Sequence, residues 1–261
     1  MAKLKHFGIL KIKHFVIFIT LLVLGSCKKE TKHLTELTGR QIAIDSSNIL
    51  VDSIQDFITP YHNRVEQVLD STIAYAPFTI SKTDGKFNTT AGNLMADIVM
   101  SETNPIFQKR TGNSIDFVLL NHGGIRSIIS KGNVTARTAY EVMPFENSVV
   151  VVELKAESLL KMVEYLIKAK RAHPVAGIQL ILNKDNTVNT FTIGGKPIDM
   201  NRTYFVATSD YLVTGGDNMD FFKEAVSKTE TDYKIRNAMI DFFSKVDTLS
   251  PKVDLRYYQL K

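Results

Sequence analysis

Asn121-His122-Gly123-Gly124-Ile125-Arg126 is the stretch from which this chain is best read. It follows Ile115 to Leu120, a continuous apolar run of the kind a buried strand leaves in sequence, so the loop is expected at a strand's C-terminal end. Two further stretches belong with it: Met143-Pro144-Phe145-Glu146-Asn147, and Thr214-Gly215-Gly216-Asp217 shortly after Tyr211. Together they place Arg126, two aromatic rings (Phe145 and Tyr211), Asn121, Asn147 and Asp217 beside glycine turns. A guanidinium forks onto phosphate oxygens. Flat rings stack on a base, and a carboxylate accepts from neighbouring hydroxyls. These are the group types that hold a nucleotide.

Working outward, apolar residues fall at helical spacing from Asn48 to Ala74, interrupted by Pro60, which predicts one kinked helix or two helices. Pro77 to Ile80 is a short strand candidate, and Thr89 or Thr90 is placed to cap a helix over Gly92 to Ser101. A short helix or turn is expected over Thr135 to Met143, stopped by Pro144, then a β-branched strand over Val149 to Leu154 and an amphipathic helix over Glu157 to Lys168. Ile178–Leu182, Thr190–Ile193 and Thr203–Thr208 read as strands, with a Gly194-Gly195 hairpin turn. Helices are expected near Met219–Val226 and Tyr233–Val246, and a last strand at Val253–Tyr258. Strands and helices mix without strict alternation. The fold class is therefore α/β of the mixed α+β kind, a layered mixed β-sheet with helices on its outer faces.

The N-terminus reads differently. Lys3, Lys5, Lys11 and Lys13 precede a short apolar run, Val16 to Leu24, which is about half the roughly 20 residues a membrane-spanning helix needs. Leu24-Gly25-Ser26-Cys27 then places small residues before the only cysteine, which can form no internal disulfide. This resembles a bacterial lipobox. The expected organisation is a lipoprotein signal peptide over 1–27 with Cys27 as the lipidation site, a polar tether over 28–47 with a short strand near Gln41–Ile44, and one domain over 48–261. An ordinary signal peptide with an incidental cysteine is the competing reading. The expected location is the cell envelope, periplasmic or outer surface, with the chain held to the membrane through its lipid. The formal charge of +5 rests mostly on the leader: beyond it, 28 Lys+Arg face 27 Asp+Glu. A body so close to neutral argues against a nucleic-acid partner, whose affinity depends on neutralising many phosphates.

From about Thr79 to Asp254 the chain resembles the C-terminal domain of the 5′-nucleotidase / UDP-sugar hydrolase / 2′,3′-cyclic phosphodiesterase family. The resemblance is carried by Gly92-Asn93-Leu94-Met95-Ala96-Asp97, Asn121 to Arg126, Pro144 to Asn147, and Ala207 to Asp217, in that order. It implies that Arg126 lies on the substrate's phosphate side and that Phe145 and Tyr211 sandwich the base. It also implies that Asn147 bonds the base edge, that Asn121 is a second polar contact, and that Asp217 accepts from ribose hydroxyls. Taken singly, a ring is more simply core and a loop asparagine more simply a turn cap. Gly215 and Gly216 are expected to serve the backbone, and Asn93 and Asp97 to serve structure. The family's arginines ahead of the Gly-Asn-Leu helix are missing, because Ser81 to Thr90 contains none; Lys86 is the expected substitute.

Catalysis in that family uses two metal ions held by Asp-x-His, Gly-Asn-His-Asp/Glu and Gly-His-x-His motifs in an N-terminal metallophosphoesterase domain. His33, His62, His122 and His173 stand outside the leader, and none lies in such a motif. The resemblance therefore implies no cofactor and no catalytic residue in this chain, with divalent metals expected in a separate metallophosphoesterase chain. Three readings follow: the nucleotide-recognition component of a 5′-nucleotidase-type phosphoester hydrolase, a non-catalytic nucleotide- or nucleoside-binding lipoprotein, or a structural lipoprotein that retains only the fold.

Overall fold

The computed structural model describes residues 12–21, 34–45 and 51–261. The chain divides between Asp52 and Ser53 into two units. In the first, residues 12–21 are helical with exposed side chains, and 34–45 form no strand, so the strand expected near Gln41–Ile44 is absent. Cys27 and its neighbours lie outside the described residues. Among the described residues no helix is long and apolar enough to cross a membrane.

From Ser53 onward the second unit begins with the body of α1 (Asp52–Asp70), which runs through Pro60 as one helix. Its apolar stripe, Ile54, Phe57, Ile58, Tyr61, Val65 and Val68, is exposed throughout. Arg137 fastens its C-terminal end through Glu66 at 2.8 Å and Asp70 at 2.6 Å. Then come β1 (Thr72–Ala76), α2 (Thr90–Thr111), β2 (Phe117–Leu119), β3 (Gly132–Thr135), α3 (Ala136–Val142), β4 (Ser148–Lys155) and α4 (Ala156–Ala169). β5 (Val175–Ala176), β6 (Ile178–Leu182), β7 (Val188–Ile193), β8 (Lys196–Pro197), β9 (Thr203–Ser209), the single turn α5 (Asp210–Val213), β10 (Ser227–Lys234), α6 (Ile235–Phe243) and β11 (Tyr257–Gln259) complete it. The mixed α/β class is the observed one.

The centre is a five-stranded sheet of order β10-β4-β9-β2-β5, in which β2 and β9 are parallel and the other pairs antiparallel. Its inner strands β4, β9 and β2 are buried on both faces, which is why they read as apolar runs. Because side chains alternate along a strand, Val149 and Val151 of β4 enter one core while Val150, Val152 and Leu154 enter the other. β2 behaves alike: Val118 faces the first core, Phe117 and Leu119 the second. α2, α3 and α6 cover the first face; α4 and the four-stranded sheet β11-β6-β7-β8 supply side chains to the second core. A fully buried Val or Leu contributes about 1.5–3 kcal/mol, so this double burial is the main stabilising term.

Several expectations need correction. Residues 227–234, partly assigned in sequence to the helix Tyr233–Val246, form edge strand β10, and α6 begins only at Ile235. Met219–Val226 is a 3-10 segment over Asp220–Glu224 rather than a helix. Pro77–Ile80 makes a single bridge, Ile80 to Ile129. α2 runs past Ser101 and through Pro105 to Thr111, capped by Thr89, whose hydroxyl accepts from Gly92 N–H at 3.1 Å. Asn93 is buried and donates to Asn88 and the Lys252 carbonyl, while Asp97 pairs with Arg256. Both are structural.

Candidate functional site

Strand order brings the three signature loops together. β2 and β9 are parallel, with Val118 opposite Ala207, so their C-terminal ends emerge on the same side; β4 is antiparallel to β9, and its start, Val149, lies opposite Ser209. The loop Asn121–Arg126 leaves β2, the segment Tyr211–Asp217 leaves β9, and Phe145–Asn147 leads into β4. A crevice beyond the carboxyl ends of parallel strands is where open sheets place their ligands.

There the structure forms a cavity of about 340 Å³ lined by Asn121, Gly123, Gly124, Arg126, Phe145, Asn147, Tyr211 and Asp217. All six candidate side chains named from the sequence line it. The two rings are part-exposed, Phe145 at 41% and Tyr211 at 44%, an unusual state for large aromatics in a folded body. The Arg126 guanidinium lies 5.9 Å from the Phe145 ring centre and forms no ion pair among the described residues. Its side-chain hydrogen bonding among the described residues is a long 3.5 Å approach to the Gly123 carbonyl. The Asn147 carbonyl accepts from Ile235 N–H at 3.0 Å, leaving its side-chain amide without a hydrogen bond among the described residues.

Asp217 is the most constrained member. It adopts φ 52°, in the left-handed region that aspartate tolerates better than most residues. Its Oδ2 accepts from Asn121 Nδ2 at 2.8 Å, its Oδ1 from Tyr211 Oη at 3.3 Å, and its carbonyl from Tyr165 Oη at 2.9 Å. Its own N–H donates to Tyr211 Oη at 3.2 Å. Asn121 thus orients the carboxylate. Gly216 permits the packing of Tyr211 over this loop: a Cβ there would lie 2.5 Å from the ring.

Residues that sequence reasoning passed over also shape the site. In the Ser81–Thr90 segment the cation that reaches the Asn121–Arg126 loop is Lys82, whose Nζ donates to the Ile125 carbonyl at 2.5 Å. Lys86, the expected substitute, instead donates to Gln259 at 2.8 Å and lies over Phe87, elsewhere on the surface. Arg236, 4% exposed, donates to the Pro144 and Phe145 carbonyls at 3.3 Å and pairs with Glu146. Lys234 and Arg236 beside Glu146 hold its carboxyl down at about 2. Neither Arg236 nor Tyr165 had a sequence signal beyond its helix position. His122 and His173 are joined by one hydrogen bond, His122 N–H donating to His173 Nδ1 at 3.3 Å.

No set of three or more His, Cys, Asp or Glu side chains among the described residues is arranged to hold a metal ion. His173 already accepts through Nδ1 and Asp217 through both carboxylate oxygens. These residues do not fit a two-metal centre.

Fold and site together place the chain in the class of 5′-nucleotidase C-terminal domains. The family model for the 5′-nucleotidase C-terminal domain matches residues 63–224, and the chain belongs to that family. Protein UshA of Escherichia coli is 32% identical over 114 residues, covering 41% of this chain and 20% of that protein. The 5′-nucleotidase of Bos taurus is 26% identical over 243 residues, covering 84% and 42%. Among solved structures, the 5′-nucleotidase precursor of Thermus thermophilus aligns with a TM-score of 0.66 at 22% identity, covering 80% of this chain and 43% of that one. The chain therefore spans less than half the length of the relatives it matches.

Proposed function

We propose that this chain is the nucleotide-recognition component of a 5′-nucleotidase-type phosphoester hydrolase, whose two-metal catalytic domain is supplied by a separate metallophosphoesterase chain. The convergence of Arg126, Phe145, Asn147, Tyr211 and Asp217 on one cavity supports it most directly. A base lies between the two rings with Asn147 at its edge. The ribose hydroxyls donate to Asp217, and the phosphate side meets Arg126. Metal ions in the partner would activate water and stabilise the displaced oxygens; this chain's residues bind and orient. Display on the cell envelope through a lipid on Cys27 completes the reading, on the strength of the N-terminal sequence.

A second reading, a nucleotide- or nucleoside-binding lipoprotein without hydrolysis, is favoured by one observation. Among the described residues Arg126 is the only arginine lining the cavity, and Lys82 is already engaged with the Ile125 carbonyl, so the phosphate grip is thin. The test is phosphate release from AMP with Mn²⁺ or Mg²⁺, for the full chain with and without a candidate metallophosphatase. Release above that of the phosphatase alone, only in the mixture, supports the recognition component. Saturable binding with no gain in release supports the second reading.

A further inference from the structure

A second cavity of about 600 Å³ adjoins the first, sharing Gly123 and Asp217 with it. Its chemistry is different. His122, Tyr165, Lys168, Arg171, His173 and Asp217 contribute to its wall, and neither ring of the base sandwich does. Lys168 sits in the last turn of α4, where a cation complements the helix dipole. That explanation does not extend to Arg171, which lies beyond the helix end at Lys170. Neither cation has an ion-pair partner among the described residues.

His173 carries the second, independent observation. It is 3% exposed, and burial, then the neighbouring His122, push its pKa down to about 4, so the ring is neutral near pH 7. Its Nδ1 accepts the His122 backbone N–H at 3.3 Å, which leaves the single ring proton on Nε2. Among the described residues that buried Nε2 makes no hydrogen bond of normal geometry, although the Leu120 carbonyl acts on the ring. Buried donors are nearly always satisfied, so an unmatched one on a cavity wall asks for an acceptor. No hydrogen bond joins it to Tyr165, whose hydroxyl turns to the Asp217 carbonyl at 2.9 Å. The carboxylate on the wall, Asp217, accepts from Asn121 and Tyr211 and makes no hydrogen bond to the ring.

We infer that this second cavity is an oxyanion subsite that takes a phosphate-class group, held by Lys168 and Arg171 with His173 Nε2–H as a directional donor. Its position next to the sugar end of the nucleoside cavity rests on the proposed function; its anion chemistry does not. The group has two possible sources: a phosphate on the ribose 3′-hydroxyl of a bound nucleotide, or free inorganic phosphate.

Calorimetric titrations of the full chain distinguish them, using inorganic phosphate, adenosine and adenosine 3′-monophosphate. The proteins are wild type, the double variant Lys168→Ala/Arg171→Ala, and Arg126→Ala as control. The inference predicts that wild type and Arg126→Ala bind inorganic phosphate and that the double variant weakens it by about tenfold or more. Adenosine affinity stays unchanged in the double variant. If the group arrives on the ribose, the 3′-monophosphate binds roughly tenfold tighter than adenosine and the double variant erases the gain. If it arrives free, phosphate and adenosine bind together and the 3′-monophosphate shows no gain. Phosphate bound without adenosine, and lost in the double variant, keeps the subsite and removes the nucleoside reading. Absence of phosphate binding together with no 3′-phosphate gain overturns the inference. So does equal phosphate affinity in wild type and double variant.

Discussion

Asn121 Nδ2 donates to Asp217 Oδ2 at 2.8 Å, joining the loop after β2 to the loop after β9 across 96 positions of sequence. This bond fixes the carboxylate that the proposed function assigns to the ribose. Asn121→Ala is expected to weaken adenosine binding about tenfold, the value of one charge-assisted hydrogen bond. A double-mutant cycle with Asp217→Ala checks it: the two losses should be strongly non-additive. Additive losses would mean that Asn121 contacts the ligand independently.

Gly216 has no room for a side chain. Its Cβ would lie 2.5 Å from Tyr211 Cε1 and 2.6 Å from the Tyr211 carbonyl oxygen. Gly216→Ala should therefore displace the Tyr211 ring and reduce base affinity toward that of Tyr211→Ala. Stacking on a base is worth about 1–3 kcal/mol, so the loss should be tenfold or more. Comparing the two variants by calorimetry decides it; an alanine at 216 with unchanged affinity would remove Tyr211 from the base sandwich.

Arg236 is a positioning residue. Its guanidinium lies 4.1 Å from the Tyr140 ring centre, donates to the Pro144 and Phe145 carbonyls and pairs with Glu146. Arg236→Met keeps much of the volume and removes the donors. The melting temperature should fall by several degrees and adenosine affinity should drop as the Phe145–Asn147 loop loosens. Arg236→Lys should not restore affinity, because an ammonium cannot reproduce the planar fork. Full rescue by lysine would reduce the residue's role to bare charge.

Acid should destabilise the domain in two separable windows. His173 is depressed from 6.5 to about 4, so between those pH values the unfolded chain binds a proton that the folded chain refuses. Its stabilising effect is complete above pH 6.5 and falls by up to roughly 3 kcal/mol as pH approaches 4. Glu146, depressed from 4.5 to about 2, acts lower: its contribution is present above 4.5 and is lost as pH falls toward 2. Denaturant melts of wild type and His173→Gln across pH 7 to 4 should show the upper slope only in wild type.

The central strands were legible because β2, β4 and β9 are buried on both faces and leave apolar runs such as Val149 to Val152. β10 was not: of Ser227 to Lys234 only Thr231 is buried, so an edge strand carried no hydrophobic period. α1 misled in the other direction, since its apolar periodicity predicts a buried face and the structure leaves it exposed. In the site, loop residues beside glycine turns were readable from type and order. Lys82, Tyr165, His173 and Arg236 were not, because their roles arise from contacts between segments far apart in sequence.

The most direct test is a calorimetric titration of AMP into the full chain, wild type and Asp217→Ala. The account predicts saturable one-to-one binding, weakened roughly tenfold or more in the variant. No saturable binding by the wild type, or equal affinity in both proteins, would contradict it.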